Sequence, residues 1–278
     1  MKLQKILWLV VALLIVTLIF TSCGGKKSDY LVLDENFGTE DYALGFRKGD
    51  NALTLKVQEI LDEMIKDGAA AKISKEWFGE DKILKDQKFP GTIGEATDSS
   101  LDDVLAKGKL ILGLDVGFEP MGFYDKDNNI IGIDIDLAKE VCKRLGVELE
   151  LQPIDWAAKE LELNGKKIDV IWNGMSVTPE RVENMNISKP YLANHMIVIV
   201  KADSDIKTLA DLADKKVAVQ AGSSAIDAIN DKPEIAESFA ELIEYDTNPA
   251  AFSDLKIGRV DALVVDEVVG LNLIEKAG

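Results

Sequence analysis

Asp-Val-Ile-Trp-Asn-Gly-Met-Ser-Val-Thr-Pro-Glu-Arg, residues 169–181, contains the end of one structural element and the start of the next. The apolar run from Val170 to Trp172 predicts a buried strand, which we expect to break at Gly174. A hydroxyl at Thr178, then proline and an acid, predict a helix beginning there. Arg181 would then follow the carboxyl end of a strand, where open α/β sheets bind ligands. Its guanidinium either grips a carboxylate or forms a surface ion pair.

The composition of the chain excludes several classes of protein. It has 278 residues, enough for one large or two ordinary domains, and is 47% hydrophobic. A formal net charge of −17 argues against nucleic-acid binding, which needs basic patches. Cys142 falls in an apolar helical pattern, and His195 is the only histidine. We therefore expect no metal site, no cofactor and no histidine-based catalytic triad.

Residues 1–23 predict an export signal that does not belong to the fold. Lys2 and Lys5 precede an apolar run from Ile6 to Phe20, which is short for a membrane span and is followed by small residues. The order resembles a bacterial lipoprotein signal, in which Cys23 becomes the lipidated N-terminus and residues 24–28 form a tether. The alternative is an uncleaved anchor helix. In both cases the protein faces the outside of the cell and is tethered to the bacterial membrane.

Strand and helix patterns alternate along the rest of the chain. This alternation predicts an α/β fold in two lobes, with largely parallel sheets that helices cover on both faces. Residues 80–100 lose periodicity and mix charge with Pro90, Gly91 and Gly94, which is typical of a linker. Four predicted strand ends carry polar or aromatic groups: Asp115 with Phe118, Asp155-Trp156, Asn173 to Arg181, and Gln220 to Ser224 with Asp266. If the lobes face each other, these groups converge on one cleft.

Five motifs together resemble the polar amino-acid solute-binding proteins of ABC importers, the bacterial extracellular solute-binding family 3. They are LDVGFEPMGF at residues 114–123, GIDIDLA at 132–138, the stretch ending TPER at 178–181, VQAGSS at 219–224 and YALGF at 42–46. The resemblance covers nearly all of the chain after the export signal. It implies a type II periplasmic-binding-protein fold, with two α/β lobes joined by a hinge.

The order of the motifs departs from that family. The segment from the Tyr42 strand to Trp77-Phe78-Gly79 belongs at the C-terminus of the family but comes first here. The resemblance therefore implies a circular permutation, with the family's usual ends joined through residues 80–100. Lobe 1 would comprise 39–79 and 101–198, and lobe 2 would comprise 29–38 and 199–278, with hinge crossings near 39–43 and 193–199. A competing account is a fragment of a tandem array completed by swapping between chains; we expect intramolecular closure and a monomer.

The resemblance also implies a set of ligand-binding residues, which lie at the predicted strand ends: Asp115, Phe118, Trp156, Asn173, Gly174, Ser176, Arg181, Gln220, Ser223, Ser224 and Asp266. Arg181 would bind the α-carboxylate of a free amino acid, helped by backbone N–H groups at Ser176 and at Ser223 or Ser224. Asp266 would take the α-ammonium, with the carbonyl of Gly174 nearby. Two aromatic residues, Phe118 and Trp156, would enclose the ligand side chain, and Asp115, Asn173 and Gln220 would contact its far end.

An acid at Asp115 favours a ligand side chain that donates hydrogen bonds and disfavours glutamate and aspartate. Arginine is therefore the first expectation, followed by glutamine, lysine or histidine. The ligand would close the hinge, and the closed protein would dock on an ABC permease in the membrane. The alternatives are an enzyme resembling cyclohexadienyl or arogenate dehydratase, a sensory ligand-binding domain, and an engineered permuted sensor.

Overall fold

The computed structural model describes residues 28–278. The predicted export signal at 1–23, its lipidated Cys23 and most of the tether at 24–28 lie outside the described residues. None of the helices within 28–278 is long and apolar enough to cross a membrane.

Thirteen strands and ten α-helices lie within residues 28–278. The strands are β1 Tyr30–Val32, β2 Thr39–Arg47, β3 Lys109–Leu114, β4 Gly117–Phe118, β5 Gly122–Tyr124, β6 Ile130–Ile131, β7 Glu148–Pro153, β8 Val170–Ser176, β9 Met185–Ile187, β10 Leu192–Lys201, β11 Lys216–Gln220, β12 Glu241–Tyr245 and β13 Ala262–Asp266. The helices are α1 Asn51–Asp67, α2 Ala69–Phe78, α3 Ser100–Lys107, α4 Ile133–Leu145, α5 Lys159–Asn164, α6 Pro179–Asn184, α7 Ser224–Asn230, α8 Pro233–Ala236, α9 Asn248–Lys256 and α10 Glu267–Ala277.

One strand, β10, belongs to both lobes. The main sheet has the order β12-β11-β13-β10-β2-β8-β3-β7, with β1 beside β10 and β9 beside β2. The first half of β10 pairs with β2, from Leu192 opposite Tyr42 to His195 opposite Thr39. Its second half pairs with β13, from Met196 opposite Asp266 onward. The sheet therefore continues from lobe 1 into lobe 2 through a single strand.

The second connection between the lobes runs alongside the first. The Leu33 N–H donates to the Val198 carbonyl at 3.0 Å, and the Phe37 N–H donates to the Met196 carbonyl at 2.8 Å. Both crossings thus form one narrow, hydrogen-bonded ribbon, which is the geometry of a hinge. The predicted lobe boundaries are compatible with this ribbon and stay a prediction.

Pairing is parallel inside each lobe and antiparallel at the hinge. Strand β3 pairs parallel with β7 and β8, and β11 pairs parallel with β12 and β13. The strands next to the crossings, β2 and β10, pair antiparallel with all their neighbours. The prediction of parallel sheets is therefore correct for the outer strands of each lobe. The strands at the hinge, β2 and β10, are antiparallel to their neighbours.

The predicted strand break at Gly174 is wrong. Strand β8 continues to Ser176, and its register with β2 shifts between Ala43, opposite Met175, and Gly45, opposite Ile171. Gly174 has a φ of +56°, which a glycine adopts without strain, so the chain bulges there instead of ending.

The segment between α2 and α3 covers lobe 1 and caps α1. Its Leu84 N–H donates to the Tyr191 carbonyl at 2.9 Å. The Asp98 carboxylate accepts from the Ala52 N–H at 2.9 Å, and the Ser100 hydroxyl accepts from the Leu53 N–H at 3.0 Å. These residues satisfy N–H groups that the first turn of a helix leaves without intrahelical partners.

Candidate functional site

The carboxyl ends of strands from both lobes meet at one cavity between them. Strand β8 of lobe 1 ends at Ser176, and β11 and β13 of lobe 2 end at Gln220 and Asp266. The cavity has about 210 Å³ of empty space. It is lined by Phe118, Trp156, Gly174, Ser176, Arg181, Gln220, Ser223, Ser224 and Asp266, all of which belong to the predicted ligand-binding set.

Arg181 is a buried cation without a carboxylate partner. Its helix begins where the sequence predicted, because the Thr178 hydroxyl accepts from the Arg181 N–H at 3.3 Å. The guanidinium is 5% exposed and donates to the carbonyls of Ser176, at 2.8 Å, and Gly222, at 3.2 Å. No carboxylate of residues 28–278 lies within 4.0 Å of it. Burial lowers its pKa, and the charges of nearby carboxylates, Glu40 first, offset this shift only in part.

Asp266 is the buried acid on the opposite lobe. It is 4% exposed and accepts from the Tyr42 hydroxyl at 2.6 Å and from the Asn194 amide at 2.7 Å. Both bonds end on Oδ1. Burial, followed by repulsion from the Glu40 carboxylate, raises the pKa of Asp266 to about 7. A cationic group entering the cavity would reverse that shift.

A second buried acid, Asp134, fixes the bulge in β8. Its place in the first turn of α4 is typical of a helix cap, but α4 has no side-chain cap hydrogen bond, so a capping role for Asp134 is wrong. The Asp134 carboxylate instead accepts from the Gly174 N–H at 2.8 Å and from the Tyr191 hydroxyl at 2.7 Å. Burial raises its pKa to about 7. It therefore holds the backbone of the cavity wall and does not reach the cavity itself.

Gly174→Ala should damage this wall. A Cβ there would lie 2.7 Å from Cε1 of Phe118 and 3.1 Å from Cε2 of Tyr42, in addition to the strain of a positive φ. We expect a stability loss of about 2 kcal/mol by denaturant unfolding and weaker ligand binding by calorimetry.

The matched control for Gly174→Ala is Gly108→Ala. Gly108 has a φ of +70°, and nothing lies within 4 Å of its added Cβ. That variant shares the backbone strain without the contact. Equal affinities for a cleft ligand in the two variants would contradict a role for Gly174 in shaping the cavity.

Asp115 and Asn173 lie behind the cavity wall. The Asp115 carboxylate accepts from the Gln220 amide of lobe 2 and from the Gly117 N–H, both at 2.7 Å. The Asn173 Oδ1 accepts from the Asp115 N–H at 2.9 Å, and its buried Nδ2 has no acceptor among residues 28–278. Burial raises the pKa of Asp115. Asp115 contacts lobe 2 through Gln220, whereas the Asn173 side chain bonds only Asp115 within lobe 1 among residues 28–278. The predicted contacts of both residues with a ligand stay a prediction.

Two aromatic side chains line the cavity, and a lysine that the sequence did not indicate, Lys159, lies beside one of them. Phe118 and Trp156 are both buried and both line the cavity. The Lys159 ammonium lies 5.1 Å from the centroid of the Trp156 ring and donates to the Gly222 carbonyl of lobe 2 at 2.8 Å. Burial, followed by the nearby Arg181 charge, lowers the pKa of Lys159 to about 8. Two buried cations of lobe 1, Arg181 and Lys159, thus donate to the same carbonyl of lobe 2, that of Gly222.

A larger cavity, with about 1180 Å³ of empty space, lies beneath the segment 80–99 against α1. The Lys189 ammonium on its wall is already paired with Asp62 at 2.6 Å. Its residues do not include any of the strand-end groups. We therefore place the functional site in the smaller interlobe cavity, where a buried charge lacks a counter-ion.

Comparison with known proteins identifies the family. The sequence model of the bacterial extracellular solute-binding proteins, family 3, matches residues 110–264. The chain belongs to this family. The resemblance predicted from the motifs is thereby confirmed, and with it the type II periplasmic-binding-protein fold class.

Relatives of this family-3 protein carry names of amino-acid-binding proteins. The L-cystine-binding protein of Escherichia coli is 31% identical over 183 residues, which cover 65% of this chain and 67% of the relative. An arginine-binding protein of an E. coli ABC transporter is 33% identical over 165 residues, 59% of this chain and 65% of the relative. The matches thus span about two thirds of each relative.

Comparison with solved structures also finds amino-acid-binding proteins of this kind. A substrate-binding protein of an ABC uptake transporter from Streptococcus pneumoniae, solved with bound histidine, is 37% identical with a TM-score of 0.63. The match covers 66% of this chain and 76% of that one.

Three residues of this family-3 site escaped the sequence analysis. Tyr42 appears in the sequence only as part of a family motif, yet its hydroxyl donates to Asp266. Glu40 accepts hydrogen bonds from Ser176, at 2.6 Å, and Ser224, at 2.9 Å. Glu40 and Tyr42 are two positions apart on β2, so they share a face of the strand, and that spacing is the signal that could have revealed Glu40. We find no comparable signal for Lys159.

Proposed function

We propose that this family-3 protein binds a free L-amino acid by its main-chain charges in the cleft between its lobes. The buried guanidinium of Arg181, which has no anion within ion-pair distance in the described part of the chain, carries the proposal. Isolated buried charges are costly, and a ligand carboxylate would supply the missing partner. Asp266 on the opposite lobe would receive the ligand ammonium at Oδ2, since both of its protein donors end on Oδ1.

We propose that the ligand side chain is polar or basic, with arginine first, then glutamine, lysine or histidine. The charged groups at or next to the cavity include the carboxylates of Asp115, Asp266 and Glu40 and the cations of Arg181 and Lys159. A positively charged ligand side chain would be attracted by these carboxylates, whereas an acidic one would be repelled. Cystine joins the candidates because a relative is named for binding it, and because it offers two ammonium and two carboxylate groups.

We further propose that the loaded protein delivers its ligand to an ABC permease outside the cytoplasm, anchored by a lipid on Cys23. Hinge closure around a ligand that bridges both lobes would give the permease a shape to recognise. The circularly permuted order, with intramolecular closure to a monomer, is part of this proposal. It is supported by β2, which precedes the family-matched residues in sequence but lies between β10 and β8 in the sheet.

A thermal-shift screen of the twenty amino acids and L-cystine tests the ligand. A ligand that binds only the folded state, at a hundred times its Kd, should raise Tm by about 5 °C. Agmatine, which is arginine without the carboxylate, is the control and should give no shift. The proposal fails if no amino acid raises Tm, or if agmatine and L-arginine act equally.

We propose that the cleft performs no covalent chemistry. The candidate acids already have binding partners: Asp266 bonds Tyr42 and Asn194, and Asp115 bonds Gln220 and Gly117. General acid–base catalysis would require one of them to face a leaving group. Incubation of the protein with arogenate should yield no dehydrated product by chromatography, and turnover would refute this part of the proposal.

A further inference from the structure

A carboxylate that is not part of the predicted ligand-binding set joins the two lobes at the edge of the cavity. The Oε2 atom of Glu40 accepts from the Ser176 hydroxyl at 2.6 Å and from the Ser224 hydroxyl at 2.9 Å. The Ser224 hydroxyl also lies 3.0 Å from the Ser176 hydroxyl. Ser176 ends β8 in lobe 1 and Ser224 begins α7 in lobe 2, so the triangle exists only while the lobes are closed.

The pairing of β2 with β10 fixes the position of Glu40. Glu40 lies opposite Asn194 in the β2–β10 pairing, within the hinge ribbon. Tyr42, on the same face two residues later, bonds Asp266 of lobe 2 at 2.6 Å. Strand β2 therefore places two side chains, those of Glu40 and Tyr42, in contact with groups that line the ligand cavity.

The chemistry of the triangle requires an anion. A carboxylate oxygen accepts two hydroxyl hydrogen bonds at once, and charge-assisted bonds of this kind are stronger than neutral ones. Both serines are almost fully buried, at 2% and 4% exposure, so water does not compete for their hydroxyls. The Arg181 guanidinium interacts favourably with the Glu40 charge, while the Asp266 carboxylate repels it.

We propose that Glu40 is a positioning residue for ligand binding, which clasps Ser176 and Ser224 across the closed cleft. This inference rests on the proposed amino-acid-binding function and deepens it. By occupying both hydroxyls, Glu40 leaves the backbone N–H groups of the two serines for the ligand carboxylate beside Arg181. It also stabilises the closed state, so a bound ligand leaves more slowly.

Glu40→Gln is the test variant, because it keeps the shape of the side chain and removes its charge. Asp41→Asn is the matched control, since Asp41 is the neighbouring acid on β2, is exposed, and takes no part in a side-chain hydrogen bond or ion pair among residues 28–278. Both variants change the net charge by the same amount, but only Glu40→Gln alters the clasp between the two serines. Circular dichroism checks that both fold.

The first measurement does not depend on any ligand. Hydrogen–deuterium exchange of segments 174–182 and 221–230 in the ligand-free protein should be several times faster in Glu40→Gln and unchanged in Asp41→Asn. Equal exchange in the two variants would overturn the clasp. This measurement tests the clasp even if L-arginine does not bind the parent protein. Absence of binding would contradict only the proposal that arginine is the ligand.

The second measurement is calorimetric titration with L-arginine. Glu40→Gln should weaken binding about tenfold through a faster dissociation rate, and Ser224→Ala should add little in the Glu40→Gln background, because the two side chains act through one bond. Fully additive effects, or unchanged affinity, would overturn the inference. Tighter binding in Glu40→Gln would also overturn it, by showing that the carboxylate competes with the ligand for Arg181.

Discussion

Replacing Arg181 by methionine should nearly abolish amino-acid binding while leaving the ligand-free protein as stable as before, or more stable. Truncating one partner of a buried charged pair costs about 3 kcal/mol, so Kd should rise by about 100-fold or more. The ligand-free protein loses two bonds to carbonyls, at Ser176 and Gly222, and is relieved of a buried charge that has no ion-pair partner among residues 28–278. Calorimetry and denaturant unfolding measure the two effects separately.

The control for Arg181→Met is Arg259→Met. Arg259 is exposed, and its guanidinium forms a surface ion pair with Asp254 at 3.2 Å. Surface pairs contribute about 0–1 kcal/mol, so that variant should bind ligand normally and lose little stability. An Arg181→Met protein that keeps its affinity, or one that is strongly destabilised without ligand, would show that the guanidinium has a purely structural role.

Ligand affinity should rise with pH up to about pH 7 and level off above it, because Asp266 must lose a proton before it receives an ammonium. Burial raises the pKa of Asp266 in the empty cleft to about 7. Below that value, Kd for L-arginine should increase by about tenfold for each pH unit, with up to one proton released on binding. Titration calorimetry in buffers of different ionisation enthalpy measures that proton.

Stability of the ligand-free protein should show the opposite trend. A carboxyl whose folded pKa is raised from 3.8 to about 7 holds a proton that the unfolded chain has lost between those values. The free energy of unfolding therefore falls as pH rises through that window. Asp266→Asn should reduce this slope and remove most of the pH dependence of binding, while Asp134, whose pKa burial also raises to about 7, supplies the remaining slope. An affinity that is flat from pH 5 to 8 in the parent protein would contradict this role for Asp266.

The sequence predicted the local chemistry of the site well. Thr178-Pro179-Glu180 predicted the helix that carries Arg181, and the alternation of elements placed Asp266 and Gln220 at strand ends. These inferences succeed because caps and strand periodicity depend on neighbouring residues. The family resemblance then supplied which strand ends face each other.

Interactions between distant segments were the part that sequence could not predict. Asp134 looked like a helix cap because acids are common in a first turn, whereas its actual partner is the N–H of Gly174, 40 residues later. Glu40 bonds Ser224, 184 residues away. Such pairs follow from how distant segments pack together in the folded chain, which no local pattern records.

The central position of β2 has a consequence for how the chain reaches its folded form. This strand is synthesised early, yet Leu44 donates its N–H to the Ser188 hydroxyl, 144 residues later, and its ladder partners β8 and β10 are also late. Until those segments emerge, the apolar run from Ala43 to Phe46 stays unpaired and prone to aggregation. Such long-range pairing slows folding. A chain of this order therefore gains from chaperones that shield it until its last third is available.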